Sequence, residues 1–282
     1  MSQLRKTYSQ APLPFIGQKR NFIKVFRQVI AKNIGDDGDG WTIIDVFGGS
    51  GLLAHNAKKL CPKAKVIYND FDGYANRLKH IDDTEKLRQL IFNQLSNVPR
   101  QKALTTESKE AVIEILCSSD GYVDVHCVAS WLLFSGKQVR TLDELLQHTF
   151  YNMIRRTPYQ PANGYLDGLE IVTESYTKIM PRYSAEPKVL FLLDPPYLHS
   201  VQGAYNQEKY FAMIDFLYLM SMTRPPYIFF SSTKSELIDY MDYLKQLDGD
   251  DWQRLGNYER LTIEAHLNHQ NQYEDNMLYK FN

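Results

Sequence analysis

The sequence predicts an α/β fold: a mostly parallel sheet flanked by helices, with a mostly helical subdomain inserted into it. Three observations predict this. Val189, Leu190, Phe191, Leu192 and Leu193 form an apolar run without alternation, as a strand covered on both faces requires. A second apolar stretch, 41–46, ends in Phe47, Gly48, Gly49, Ser50 and Gly51 before a helical pattern begins. Between 86 and 164 the pattern becomes mixed and mostly helical, after which strands and helices alternate again.

The elements follow in order. A loop at 12–20 feeds a helix in which Phe22, Val25, Phe26, Val29 and Ile30 recur at helical spacing. Turn residues at 36–40 precede the strand at 41–46. After the glycine turn, a helix at 52–60 is stopped by Pro62, and a strand at 66–68 closes with Asn69, Asp70, Phe71 and Asp72. This is a β-α-β unit. Strands are expected at 168–172, 189–193 and 227–230, the last with Ser231 and Ser232 at its end. Helices are expected at 210–222 and 235–247, and 259–265 with 276–281 reads as a final antiparallel pair. The expected division is one domain made of 1–85 and 165–282, with 86–164 inserted.

At 282 residues the chain is long enough for a large core, in one domain or two. A net charge of −1 and a pI near 6.7 exclude an obligatory, highly basic nucleic-acid coat but leave room for a local basic cleft. Cys61, Cys117 and Cys127 lack paired spacing and read as reduced thiols of a cytoplasmic protein. No His/Cys cluster suggests a metal. No apolar stretch reaches membrane-spanning length, and 1–10 carries no signal-peptide core.

The most informative residues are Asp194, Pro195, Pro196 and Tyr197, at the end of the 189–193 strand. Ligands of open α/β sheets bind beyond the carboxyl ends of strands. Proline fixes its own φ and drives the preceding residue to extended geometry. The Asp194 carboxylate and the Pro195 carbonyl are therefore two acceptors in set directions, suited to the two hydrogens of an exocyclic amine. Tyr197 offers a flat face to a planar base. The glycine turn allows close backbone approach, and the helix after it presents free N–H groups to a carboxylate or phosphate. Alone, that turn fits a dinucleotide site, a methyl-donor site or plain packing. Asp70, at the end of the next strand, stands where an acid accepts from ribose hydroxyls; Asp72 is the weaker candidate. The Gly-x-Gly-x-x-Gly spacing is absent, so S-adenosylmethionine fits the pair better than a dinucleotide does.

Segments 14–19, 45–51, 69–70, 174–176 and 194–197, in this order, resemble the Dam-like DNA adenine-N6 methyltransferases of the alpha permutation. The resemblance implies a Rossmann-like S-adenosylmethionine-dependent methyltransferase sheet whose target-recognition region lies in 86–164. It implies that Phe15, Gly17 and Lys19 border donor and target base, and that Phe47, Gly48, Gly49 and Gly51 form the donor loop. It gives Asp70 the ribose, Glu174, Ser175 and Tyr176 the donor's adenine ring, and Asp194, Pro195, Pro196 and Tyr197 the catalysis, with Lys19 beside them. The implied substrate is an adenine flipped out of double-stranded DNA, with no metal, in a monomeric or weakly dimeric enzyme of bacteria or phages.

The match thins in the insertion. No asparagine- and glycine-rich recognition hairpin is present, and 127–136 is apolar and aromatic, so no GATC specificity is carried over. Lys137, Arg140, Arg155 and Arg156 are the candidates for DNA contact. Ser231 and Ser232 stand where an asparagine-containing pattern is expected. Two alternatives remain: an amino methyltransferase acting on RNA or protein, and a non-catalytic DNA-binding subunit. Asp194 disfavours the first, since such relatives more often carry asparagine there. Intact Gly49, Asp70, Asp194 and Tyr197 disfavour the second.

Overall fold

The computed structural model describes residues 7–134, 137–198, 211–232, 235–268 and 271–282, with side chains described outside 264–273. Among them, β1 (Thr42–Asp45), β2 (Lys65–Asn69), β3 (Glu170–Val172), β4 (Val189–Leu193), β5 (Tyr227–Ser232), β6 (Glu259–Asn268) and β7 (Asn271–Lys280) form one sheet. Its order is β3-β2-β1-β4-β5-β7-β6. The first five strands pair in parallel. β7 runs antiparallel to β5, and β6 antiparallel to β7. The α/β fold is the one expected, a Rossmann-like sheet. From β1 the chain moves outward to β2 and β3, then returns to β1's other side with β4. That reversal opens a crevice beyond the carboxyl ends of β1 and β4.

The central strands β1, β2, β4 and β5 are largely apolar because both faces are covered. Ile43, Val66, Tyr68, Leu190 and Leu192 face one core, while Ile44, Ile67, Val189, Phe191 and Leu193 face the other. The first core is covered by α1 (Ile23–Asn33), α2 (Leu52–Leu60), α3 (Tyr74–Lys79) and α4 (Ile81–Gln94). It also takes in α5 (Thr106–Cys117), α6 (Val125–Leu132) and α7 (Leu142–Leu146). The second is covered by α8 (Tyr176–Arg182), α9 (Met213–Met222), α10 (Leu237–Leu247) and α11 (Asp250–Leu255). Full burial of one such leucine or phenylalanine contributes about 1.5–3 kcal/mol.

Segment 86–164 shares the first core instead of forming its own. Trp131, Leu145 and Phe150 are buried in the same cluster as Phe26 and Ile30. α4 carries the chain continuously across residue 86. A buried ion pair, Arg77 Nε to Asp124 Oδ2 at 2.8 Å, ties α3 to the start of α6. Breaking one partner of such a pair strands the other charge, at a cost of about 3–5 kcal/mol.

Several expected bounds shift, each for a local reason. The strand expected from 168 begins at Glu170, because Gly168 has a φ of +76° and lies outside extended geometry. Ser231 and Ser232 belong to β5, since Asn276 and Asp275 continue the ladder opposite them. The terminal hairpin is longer than expected at its turn, with Asn268 paired to Asn271. Residues 1–6, Gly136 and Tyr210, each part of an expectation above, lie outside the described residues.

Candidate active site

A cavity of about 780 Å³ opens at the switch point, beyond β1, β2 and β4. That volume is ordinary for a small-molecule site. Its walls bring together Phe15, Gly17 and Lys19 from the N-terminal loop with Phe47, Gly48 and Gly49 from the turn after β1. Glu174, Ser175, Tyr176, Asp194 and Pro196 complete the set of expected residues that line it. Residues from four separate segments, as distant in sequence as 15 and 196, therefore share one cleft.

The glycine turn is fixed by close contacts. A Cβ on Gly48 would stand 2.4 Å from the Tyr68 ring, and one on Gly49 would stand 2.8 Å from Phe15. Gly49 also has a φ of +48°, which favours glycine. Phe15 is thus laid against the turn, with its ring edge-on to Tyr74 at 5.7 Å. Gly51 takes a different part: it is the N-cap of α2 at φ +70°, packs on Tyr68 and does not line the cavity. As N-cap it offers no side chain to the first N–H groups of α2.

Asp70, which follows β2, is placed away from the cavity wall. It is 6% exposed. Its Oδ1 accepts from Tyr74 N at 2.7 Å and Tyr68 OH at 2.9 Å, and its Oδ2 accepts from Ala75 N at 2.9 Å. It is turned inward to cap the first turn of α3, whose N-cap Gly73 has no side chain for the task. Asp72 lines the cavity. The helix that claims Asp70 is six residues long, too short to announce itself by periodicity.

Asn69 is the tie between strand ends. Its amide nitrogen donates to Val46 O at 2.9 Å and Glu174 O at 2.8 Å, and its Oδ1 accepts from Glu174 N at 2.9 Å. This holds the 174–176 segment against β1 and β2. Ser175 then caps α8, accepting from Thr177 N. Glu174 is paired with Arg182. Phe47, Tyr176 and Phe211 form an aromatic wall, with ring centroids 5.6–6.1 Å apart. Phe211 and Asp215, which lines the same wall, carried no motif in the sequence.

At the other end of the cavity, Lys19 Nζ meets Asp194 Oδ2 at 2.6 Å, with the side chains only 9% and 18% exposed. Lys19 also donates to Gly17 O at 2.8 Å and lies 5.7 Å from the Tyr197 ring centroid. Pro195 is buried; it and Tyr197 adjoin the cavity but do not line it. Burial raises the Asp194 pKa above the ordinary carboxylate range, and Lys19 opposes that rise. Behind it, Asp45 is 1% exposed. Its Oδ2 accepts from Ala54 N at 3.2 Å, while Oδ1 has no hydrogen-bond partner among the described residues. Burial pushes its pKa up to about 7.

The four basic candidates of the insertion are exposed. Lys137 borders a second cavity of about 140 Å³ that shares Phe15, Ile16 and Asp72 with the first. Arg155 lies over the Tyr159 ring at 4.7 Å and donates to Thr157 O. The backbone N–H of Arg140 donates to Glu144. Neither Arg155, Arg156 nor Arg140 lines either cavity. Among the described residues no helix is long and apolar enough to cross a membrane, and no group of His, Cys, Asp and Glu is placed to hold a metal ion.

Over 278 residues the chain is 54% identical to a Haemophilus influenzae (strain Rd) protein named "Putative methyltransferase", covering 98% of this chain and 94% of that one. A solved structure from Clostridium thermocellum, titled as a "putative rRNA-methylase", aligns over 92% of this chain and 97% of that one. It does so at 10% identity and a TM-score of 0.34, too slight a likeness to bear on the site. Residues 15–212, which hold the glycine turn, the 174–176 segment and the Asp194–Tyr197 tetrad, match the model of one family: the chain belongs to the D12 class N6 adenine-specific DNA methyltransferases.

Proposed function

We propose that this protein transfers a methyl group from S-adenosyl-L-methionine to N6 of an adenine flipped out of double-stranded DNA, at a specific target sequence. One observation carries the reading: Asp194 lines the same cavity as Gly48 and Gly49, with Lys19 bound to it. An amine acceptor and a donor-type glycine turn thus share one cleft on adjacent strands.

The residues present fit the donor's chemistry. The first turn of α2, where Leu52 and Leu53 border the cavity and the N-cap Gly51 has no side chain, suits a carboxylate beside the Ala54 N–H that Asp45 takes. Asp72 suits the ribose hydroxyls, and the Phe47, Tyr176 and Phe211 wall suits a purine ring. Asp45, buried with one oxygen unpartnered and electrostatically coupled to Asp194, adds negative potential favourable to a cationic donor when it is ionised. When bound, the donor supplies an electrophilic methyl group.

The chain's own part is positioning and electrostatics. The adenine N6 lone pair is delocalised into the ring. Hydrogen bonds from N6 to the Asp194 carboxylate and the Pro195 carbonyl favour a tetrahedral nitrogen whose lone pair points at the methyl. Once N6 bonds to carbon, its proton becomes acidic and passes to Asp194 or water. A carboxylate whose pKa is already raised by burial is well matched to receive it. Tyr197 stacks on the extruded base, an effect worth about 1–3 kcal/mol. Unstacking an adenine from the duplex costs a few kcal/mol, so this stacking offsets part of the cost. The 86–164 segment, with Lys137, Arg140, Arg155 and Arg156, supplies the DNA contacts and target recognition.

Incubation of the full chain with labelled donor and, side by side, duplex DNA, RNA and protein tests the reading. Label in DNA alone is expected. Label confined to RNA or protein contradicts the assigned substrate, and the absence of donor binding by calorimetry would mean a non-catalytic subunit.

A further inference from the structure

From beyond 212, where the family match ends, the C-terminal hairpin brings a carboxylate, Asp275, into the field of Lys19 and Asp194. β7 sets Asp275 opposite Ser232 and Met277 opposite Phe230. Met277 and Phe230 are buried in the core covered by α1, and the Phe230 ring meets Phe22 at 5.5 Å. Residues two apart on a strand share a face. Asp275 therefore stands on that face, one pair nearer the rim where β4 ends in Asp194. Phe22 closes the short 3-10 turn Arg20–Phe22, whose N-cap is Lys19, so the same packing brings Lys19 over this corner.

Asp275 is half-buried, and no hydrogen bond among the described residues engages its carboxylate. Burial raises its pKa, Lys19 opposes the rise, and Asp194 adds to it, so Asp275 lies in the field of both groups. Three carboxylates, Asp45, Asp194 and Asp275, thus feel one ammonium, which contacts Asp194 alone. That contact holds an oxygen of the very group the target amine must reach. An ammonium in a poorly solvated site leaves its counter-ion only at high cost unless another awaits it.

We propose that Asp275 is that second counter-ion: it receives the Lys19 ammonium when the target amine engages Asp194. It is a positioning residue that acts through Lys19, and the proposal rests on the reading above in which Asp194 accepts the amine. The C-terminal hairpin thereby governs how readily the acceptor is released to substrate.

The test is single-turnover methyl transfer to duplex DNA by the parent chain, Asp275→Asn, Asp275→Glu, Lys19→Met and the double variant Lys19→Met/Asp275→Asn. Asp275→Asn is expected to slow transfer about tenfold with donor affinity unchanged by calorimetry, and Asp275→Glu to restore most of the rate. In the Lys19→Met background the same asparagine change is expected to alter the rate less than about twofold, because effects carried through one residue do not add. A parental rate in Asp275→Asn, equal proportional losses with and without Lys19, or loss of donor binding overturns the proposal. A parent chain that methylates no DNA overturns the activity itself, and that control tells the two failures apart.

Discussion

The glycine-turn side of the cleft and the 86–164 segment are built by opposite means. Beside the glycine turn, buried polar side chains bond backbone groups: Asn69 holds Val46 and Glu174, and Asp70 holds the start of α3. In the insertion, Trp131, Leu145 and Phe150 are anchored in the shared core, while Arg155, Arg156, Arg140 and Lys137 stay at the surface. A site that holds one constant small molecule is served by rigidity. A surface that meets a long polyanion is served by exposed, adaptable charge. The difference predicts large losses from point changes in the first region and small, salt-dependent ones in the second.

The largest effect is expected at the acceptor. Asp194→Ala should lower single-turnover transfer roughly a hundred- to a thousandfold, with donor binding intact by calorimetry. Loss of the donor site instead would exchange the roles of β4 and the glycine turn. Gly49→Ala comes next. Its φ of +48° and the approach of Phe15 should weaken donor affinity about ten- to a hundredfold, consistent with about 1–3 kcal/mol of backbone strain.

Asp70 and Asp72 sharpen the comparison further, because they should separate. Asp72→Ala is expected to weaken donor binding several-fold, leaving the urea midpoint unchanged. Asp70→Asn is expected to lower folding stability by about 1–3 kcal/mol through the N–H groups of Tyr74 and Ala75, measured by urea denaturation. A converse result would assign the ribose to Asp70.

Asp45 supplies the pH dependence. Its folded-state pKa of about 7 lies above the ordinary carboxylate value, so the folded chain binds a proton that the unfolded chain has released. Its stabilising contribution is present below pH 4 and is lost as pH rises to 7. Asp45→Asn should therefore stabilise the fold at pH 8 relative to its effect at pH 5, by on the order of 1–3 kcal/mol in urea unfolding. An equal effect at both pH values would mean that Asp45 is charged throughout.

The smallest effects belong to the insertion. Arg155→Ala or Arg156→Ala should reduce duplex affinity a few-fold at low salt and lower the salt slope by about one per lost phosphate contact. Catalysis at saturating DNA should be unchanged.

How far the sequence reveals all this depends on whether a signal is local. The strands around the site were legible because double burial writes itself as an unbroken apolar run, as in 189–193. The glycine turn and the Asp194–Tyr197 tetrad were legible because each concentrates unusual backbone demands in a few neighbours. The inward turn of Asp70 is not legible, because the Asn69–Asp72 stretch holds two acids and the short α3 alone engages one of them. Asp275 was invisible because its place depends on the β5–β7 register. Phe211 and Asp215 reach the cavity only through the packing of α9 against Tyr176, at Tyr176 OH to Asp215 O, 3.2 Å. In the insertion, short helices and scattered basic residues carry no pattern that separates DNA contact from solvated surface.

The central claim concerns one nitrogen gripped by Asp194 and Pro195. The most direct test is nucleoside analysis of duplex DNA after reaction with labelled donor. The account predicts label in N6-methyladenine and none there after reaction with Asp194→Ala. Label in a methylated cytosine, or N6-methyladenine made equally well without the Asp194 carboxylate, would contradict it.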